Sequence, residues 1–267
     1  MIETDLLLPD GRTLHTYDTG GPGLPTLWHH GTPNTGTPPE PLTHPGIRWI
    51  SYDRPGYPGS SPDPGRTIAS AADYARAVTD ALAVDRFAVL GHSGGGAHAL
   101  ATAALLPDRV LAAVSISAMA PFDANGLDWF AGMANDASLR AAAAGRPAKE
   151  KHEATAVFDP HVFTPADHAA LSGERSWFGG IVNAAMQNGP GGLIDDDLAY
   201  VAPWGFSVEL ITAPVLLLHG ESDRMIPVAH AHWLHDQCPT AELRAVPDEG
   251  HISVLRHASA ALDRLAG

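Results

Sequence analysis

A sharp turn between a strand and a helix is encoded at residues 91–95, which read Gly-His-Ser-Gly-Gly. The apolar segment 87–90 predicts a buried strand, and the segment 94–106, rich in small residues, predicts a helix. A serine at such a turn sits at its apex in a strained backbone conformation. Glycines flank it because the crossing strand and helix leave no space for a Cβ atom. The pattern therefore predicts that Ser93 projects from the carboxyl edge of a sheet.

The rest of the chain alternates strand and helix patterns. Strands are predicted at residues 3–8, 12–18, 26–29, 47–52, 87–90, 110–116, 215–219 and 242–246, and helices at about 67–83, 94–106, 227–238 and 252–265. Such alternation is typical of a mostly parallel sheet covered by helices on both faces. The Asp-Gly pair at residues 10–11 predicts an antiparallel hairpin at its start. The sequence thus predicts an α/β fold.

The alternation stops between residues 119 and 206, where helical patches and aromatic residues occur without a clear strand. We interpret residues 119–206 as a helical cap, inserted before the last strands of a core formed by residues 1–118 and 207–267. Three aromatic residues of this segment are candidates for a pocket wall: Trp129, Trp177 and Phe178. An apolar lining of this kind favours a small, uncharged and partly hydrophobic substrate.

Composition excludes several classes of partner. The chain of 267 residues has 16 Lys and Arg against 30 Asp and Glu, a formal net charge of −14, which repels nucleic acids and anionic membranes. Its one cysteine, Cys238, forms no internal disulfide, as in proteins of reducing compartments. The acidic N-terminus lacks a signal-peptide pattern, and no apolar run is long enough to cross a bilayer. We expect a cytoplasmic protein that binds neither nucleic acid nor membrane.

Two further polar residues follow predicted strands. Asp223 comes just after the strand at 215–219, and His251 just after the strand at 242–246. Because the carboxyl ends of parallel strands meet at one edge of a sheet, both are predicted to converge on Ser93. A serine nucleophile needs an imidazole base, which in turn needs a carboxylate to orient it. The three residues therefore predict nucleophilic catalysis.

Other carboxylates compete for the role of the orienting acid. Asp123 follows the strand at 110–116 and is an alternative to Asp223. Asp248 and Glu249 lie too close to the histidine in sequence to face its ring easily.

Several other patterns are weak as binding sites. Residues 94–99 fit a dinucleotide fingerprint, but the strand end at 114–118 lacks the carboxylate that such a site requires. The histidines of the helix 227–238 have no Cys or acid to complete a standard zinc set, and we interpret them as a solvated face. The acidic run 195–197 lacks the spacing of a calcium loop and is interpreted as a solvated turn or helix start. No metal or organic cofactor is expected.

Five segments resemble the α/β-hydrolase superfamily, in particular its small capped serine esterases and proline-iminopeptidase-like members. They are residues 30–33 (His-Gly-Thr-Pro), 53–60 (Asp-Arg-Pro-Gly-Tyr-Pro-Gly-Ser), 91–95, 219–223 (His-Gly-Glu-Ser-Asp) and 250–251 (Gly-His). In this superfamily the triad follows the chain order serine, acid, histidine. The resemblance implies a catalytic triad of Ser93, Asp223 and His251 that cleaves a carboxylic ester or related acyl bond through an acyl-enzyme.

The resemblance also implies an oxyanion hole formed by the backbone N–H groups of Gly94 and Thr32. Residues 32–34, Thr-Pro-Asn, depart from the glycine-rich form of many relatives. His30, for which we favour a turn role at the strand end over a metal ligand, and His92 are further candidates for the substrate pocket.

The same triad also serves aminopeptidases, thioesterases, lactonases and carbon–carbon bond hydrolases, which remain alternatives. A serine nucleophile argues against dehalogenase and epoxide-hydrolase chemistry, for which relatives use an aspartate. Outside enzymes, a small-molecule binding protein of the same fold is the alternative, because a fold alone does not establish activity.

Overall fold

The computed structural model describes the backbone of residues 1–266. Within these residues, eight strands form one sheet. The strands are β1 (Ile2–Leu7), β2 (Thr13–Asp18), β3 (Leu24–His29), β4 (Ile47–Tyr52), β5 (Phe87–His92), β6 (Val110–Ile116), β7 (Val215–Gly220) and β8 (Ala241–Val246). Their order in the sheet is β1-β2-β4-β3-β5-β6-β7-β8. The β1–β2 and β2–β4 pairs are antiparallel, and the other pairs are parallel. The predicted mostly parallel sheet with an opening hairpin is confirmed.

Nine α-helices accompany the sheet within the same residues. They are α1 (Ser70–Ala81), α2 (Gly94–Leu105), α3 (Ala137–Ala143), α4 (Arg146–Glu153), α5 (Pro165–Ser172), α6 (Trp177–Ala185), α7 (Gly191–Tyr200), α8 (Ala229–Gln237) and α9 (Ala258–Ala266). The helix predicted at 252–265 begins instead as a 3₁₀ turn, Ser253–His257. Helices α3 to α7 all fall within residues 119–206, which we call the β6–β7 insertion. The end of the predicted core, Gly267, lies outside the described residues.

Both faces of the central strands are buried, as in β5, because successive side chains enter opposite apolar clusters. In β5, Val89 packs into a cluster shared with α1, α2 and α8, whereas Leu90 packs into a cluster shared with α9. Parallel strands covered in this way bring their carboxyl ends to one edge. The loops after β3, β5, β7 and β8 therefore meet there. No helix of residues 1–266 has the length and apolar character needed to cross a membrane.

Candidate active site

Ser93 occupies the turn between β5 and α2 with φ of 58° and ψ of −128°. A side chain in this region of backbone space is strained. A Cβ atom on Gly91 would clash with the carbonyl oxygen of Gly95, and one on Gly95 would clash with the carbonyl oxygen of His29. These close approaches explain why glycines flank the serine. The strained turn expected from the sequence is present.

His251 and Asp223 form a buried hydrogen-bonded pair in the loops after β8 and β7. Nδ1 of His251 lies 2.7 Å from Oδ2 of Asp223, and the two side chains are 3% and 0% exposed. The other carboxylate oxygen accepts the backbone N–H groups of Met225 and Ile226, both at 2.9 Å. Because an ionised carboxylate only accepts hydrogen bonds, Nδ1 carries the hydrogen. Nε2 of His251 is then the nitrogen that can accept a proton.

Burial and charge compete at this pair. Burial lowers the pKa of His251, but the neighbouring Asp223 carboxylate outweighs it, so this pKa is raised above its usual value. Burial raises the pKa of Asp223, but the His251 charge and the hydrogen bonds from His219 and His251 outweigh it, so the net shift is downward. Asp223 is therefore ionised at neutral pH and suited to orient an imidazole.

The alternative acid lies elsewhere. Asp123 is exposed in the loop after β6 and borders a surface cavity of about 420 Å³ together with Trp204 and Trp233. The structure pairs the imidazole of His251 with Asp223 instead.

His92 connects the serine turn to the loop of His251. Its Nε2 lies 2.9 Å from the backbone oxygen of His251, and the two rings are 5.0 Å apart between centroids. Burial lowers the pKa of His92 to about 3, so the ring is neutral and its Nε2–H donates to the carbonyl. The Ser93 hydroxyl has no hydrogen bond to any of residues 1–266. Catalytic hydrogen bonds are often long in free enzymes and tighten when substrate binds.

The two predicted oxyanion donors lie side by side next to Ser93. A Cβ atom built on Gly94 would lie 2.9 Å from Oγ1 of Thr32, and one on Gly31 would lie 3.6 Å from Cβ of Ser93. Neither the Gly94 nor the Thr32 amide donates a hydrogen bond within the described part of the chain. Both N–H groups are thus available to an incoming acceptor, and their role as oxyanion donors stays a prediction.

His30 is buried at the end of β3 with both ring nitrogens engaged. Nε2 accepts the backbone N–H of Arg54 at 3.0 Å, so Nδ1 carries the hydrogen that it donates to the Gly31 oxygen at 2.8 Å. Burial holds the pKa of His30 well below its usual value. These contacts fit the turn role predicted from the sequence, whereas substrate contact by His30 or by His92 stays a prediction.

The predicted pocket aromatics fall into two places. The ring of Phe178 lies 5.8 Å from that of His92 and stacks on Trp177 at 4.3 Å. Trp129 packs edge-on against Phe130 instead, and its Nε1 donates to the Ala120 oxygen at 2.8 Å. The structure therefore places Phe178 next to His92 of the serine turn, with Trp177 behind it, and gives Trp129 a packing role. Substrate contact by all three stays a prediction.

The interpretation of residues 195–197 as a solvated turn or helix start is wrong. All three aspartates are buried within α7. Asp196 pairs with Arg54 and Arg66, Asp197 with Lys149 and Asp195 with Arg146. The partners of Asp196 precede it by 142 and 130 positions, so no local pattern shows them.

The interpretation of the α8 histidines as a solvated face is wrong for one of the three. His232 and His235 are exposed, but His230 is buried. It accepts the N–H of Ala120 at 3.1 Å and donates to the Trp129 oxygen at 3.0 Å. Within residues 1–266, no group of three or more His, Cys, Asp or Glu side chains is placed to hold a metal ion.

Comparison with known proteins identifies the family to which the fold belongs. Residues 19–258 match the family model described as the alpha/beta hydrolase fold, so the chain belongs to the α/β-hydrolase family, and it is a hydrolase.

A non-heme chloroperoxidase from Streptomyces lividans is 30% identical over 244 residues, which are 83% of either chain. A 2-hydroxymuconate semialdehyde hydrolase from Pseudomonas putida is 27% identical over 267 residues, covering 94% of this chain and 89% of its own. The crystal structure of a bromoperoxidase from Bacillus anthracis superposes with a TM-score of 0.76 at 21% identity, covering 98% of this chain and 99% of the other. The predicted fold and family are confirmed.

Proposed function

We propose that the protein is a serine hydrolase that cleaves a carboxylic ester or related acyl bond through an acyl-enzyme. The observation that carries this proposal is the buried contact of 2.7 Å between His251 and Asp223. It lies next to the strained turn of Ser93, to which His92 ties it by a hydrogen bond of 2.9 Å. A base oriented by a carboxylate beside a partly exposed serine is the arrangement that activates its hydroxyl.

The proposed reaction has two halves. In the first, Nε2 of His251 takes the proton of the Ser93 hydroxyl while Oγ of Ser93 attacks the acyl carbon. His251 then gives this proton to the departing alcohol oxygen, which leaves the acyl group on Ser93. In the second half, a water molecule loses its proton to His251 and attacks the acyl carbon, which releases the acid and returns the proton to Ser93. Asp223 holds the imidazole and stabilises its charged form.

The oxyanion that forms in each half is the point of greatest charge development. We propose that the N–H groups of Gly94 and Thr32 donate to it. Loss of one such donor typically costs about 2.7–4 kcal/mol of transition-state stabilisation. Both amides border Ser93 and have no competing acceptor among residues 1–266.

We also propose that the β6–β7 insertion, residues 119–206, is a cap on a core of residues 1–118 and 207–267. The contact between Phe178 of α6 and His92 supports a cap that supplies part of the pocket wall. Apolar aromatic walls favour a small, uncharged and partly hydrophobic acyl substrate. The net charge of −14 and the single buried cysteine support a cytoplasmic enzyme for small molecules rather than for nucleic acids or membranes.

Activity-based labelling tests the nucleophile. A fluorophosphonate should label the protein at Ser93, and Ser93→Ala should abolish both labelling and ester turnover. Ser115→Ala is the matched control, because it removes a buried hydroxyl that has no hydrogen-bond partner among residues 1–266. Labelling that survives in Ser93→Ala would refute the assignment.

A substrate panel separates ester cleavage from the alternatives on the same triad. It comprises esters, thioesters, lactones and aminoacyl amides, and similarity to the Pseudomonas putida protein adds 2-hydroxymuconate semialdehyde. We expect the highest kcat/KM on uncharged esters, with Ser93→Ala as the blank. Saturable binding without turnover of any compound would favour a binding protein of the same fold.

A further inference from the structure

The Thr32 hydroxyl is hydrogen-bonded by residues from outside its own loop. Oγ1 lies 2.5 Å from Oδ2 of Asp196 and 2.6 Å from the hydroxyl of Tyr200, both on α7, and 3.0 Å from Nη2 of Arg54. Arg54 can only donate and an ionised Asp196 can only accept. Thr32 therefore donates to Asp196 and accepts from Arg54 and Tyr200. This uses its single donor and both acceptor sites.

Asp196 is itself held in one position. Its carboxylate is 0% exposed and lies 2.7 Å from Nη2 of Arg54 and 2.6 Å from Nη1 of Arg66. The Tyr57 hydroxyl donates to it at 2.7 Å. Burial raises the pKa of Asp196, but the two arginines outweigh it and hold this pKa well below its usual value. Asp196 is therefore a fixed negative charge that orients each of its donors.

This network also fixes the peptide unit that contains the Thr32 amide. The oxygen of that unit belongs to Gly31 and accepts from Nη2 of Arg54 at 2.9 Å and from Nδ1 of His30 at 2.8 Å. In a planar trans peptide the C=O and N–H groups point in opposite directions. Holding the Gly31 oxygen towards Arg54 thus turns the Thr32 N–H away from Arg54.

The same contacts reach the other oxyanion donor. A Cβ atom on Gly94 would clash with the Tyr200 hydroxyl and would lie 2.9 Å from Oγ1 of Thr32. The Tyr200 hydroxyl thus lies against the backbone of Gly94 while it donates to Thr32. One residue of α7 therefore sets the spacing between the two loops that carry the donors.

We propose that Asp196 is a positioning residue for the oxyanion hole, which it orients by holding the Thr32 hydroxyl and the Arg54 side chain. This inference rests on the proposed function. It assigns to the β6–β7 insertion a part in transition-state stabilisation besides covering the site. Because an oxyanion donor acts on the transition state and not on the bound substrate, the effect falls on kcat rather than on KM.

The test compares Asp196→Asn with Asp197→Asn. Both remove a buried carboxylate of α7, but the described partners of Asp197 all lie in the insertion: they are Lys149 and Ser138. We expect Asp196→Asn to lower kcat for an ester by about 10- to 100-fold, with KM changed less than about threefold. This decrease in kcat is smaller than that caused by removing an oxyanion donor, because the Thr32 N–H is misaligned rather than absent. An alkyl boronic acid, whose tetrahedral adduct with Ser93 places an oxygen in the hole, should bind more weakly by a similar factor. Asp197→Asn should leave both values unchanged.

A second pair covers the case in which Asp196→Asn does not fold. Thr32 is partly exposed, so Thr32→Val removes its hydroxyl at little cost in packing and should lower kcat in the same way. Thr32→Ser restores the hydroxyl and should recover most of the lost kcat. Unchanged kcat in folded Asp196→Asn, or equal kcat in Thr32→Val and Thr32→Ser, overturns the inference. Absence of ester turnover and of Ser93 labelling in the unaltered protein refutes the proposed function instead.

Discussion

Oδ1 of Asp167, on α5, accepts the backbone N–H of Ile252 at 2.8 Å. Ile252 directly follows His251 in the chain. The same oxygen accepts the N–H of Ser253, also at 2.8 Å. With the His92 bond to the His251 oxygen, both sides of His251 are held by side chains. The β6–β7 insertion thus contacts the loop of the proposed base as well as the loop of Thr32.

Replacing Asp167 by Asn should move the pH dependence of turnover. Burial raises the pKa of Asp167, but hydrogen bonds from backbone N–H groups outweigh it and keep this pKa lowered, so Asp167 carries a negative charge. Together with Asp223, that charge raises the pKa of His251. The base must be neutral to act, so activity falls as pH drops through this pKa. Without the Asp167 charge, the acidic limb of kcat/KM should shift to lower pH, whereas Asp197→Asn should leave it in place.

Loss of the orienting carboxylate should be severe. Asp223→Asn keeps the shape of the side chain but permits the wrong tautomer of His251, which costs about 10⁴-fold in kcat in comparable triads. Asp123→Asn is the matched control, since Asp123 is an exposed carboxylate in the loop after β6. Steady-state ester turnover decides between the two acids. Near-normal rates for Asp223→Asn with a large loss for Asp123→Asn would transfer the role to Asp123.

The buried pair of His251 and Asp223 should make the stability of the fold depend on pH. The folded pKa of His251 is raised above its reference value of 6.5, so the folded state binds the proton more tightly than the unfolded state does. This contribution is fully present below about pH 6.5 and is lost as pH rises through the folded pKa. Urea unfolding of the unaltered protein and of His251→Gln should therefore show a difference that shrinks with rising pH. A difference that grows with pH would contradict the assigned direction.

A methyl group at Gly94 should damage the site, because its Cβ would clash with the Tyr200 hydroxyl. Gly94→Ala should lower kcat by at least tenfold and destabilise the fold by about 1–3 kcal/mol, as overpacking typically does. Gly179→Ala, in α6, is the control, since its Cβ would have no neighbour within 4 Å. That change should stabilise the fold by up to about 1 kcal/mol. Thermal unfolding and ester turnover of both variants provide the comparison.

Local patterns in the sequence were sufficient for the sheet and for the turn of Ser93. Apolar runs and glycines act on their immediate neighbours, so the strand before Ser93 and the helix after it are both visible in residues 87–106. The predicted pairing of Asp223 with His251 needed only chain order and the position of strand ends. A parallel sheet brings these strand ends to the same edge, so this pairing follows from the predicted topology.

The contacts of the insertion could not be predicted in this way. The local sequence around Asp196 is typical of a surface residue. The two arginines that compensate its buried charge lie far away along the chain, so this segment does not show them. Likewise, Asp167 meets Ile252 only after α5 has packed against the end of the sheet. Such pairs form between distant segments, and a single sequence carries no periodic signal for them.

The buried pairing of Asp196 with Arg54 and Arg66 divides one electrostatic unit between two segments. A graft of residues 119–206 from a relative without this carboxylate would leave two guanidinium groups facing each other in the interior. Breaking a buried pair typically costs about 3–5 kcal/mol, a large share of the stability of an ordinary domain. Exchange of this segment to alter substrate preference would therefore have to carry its aspartate along or replace both arginines in the recipient.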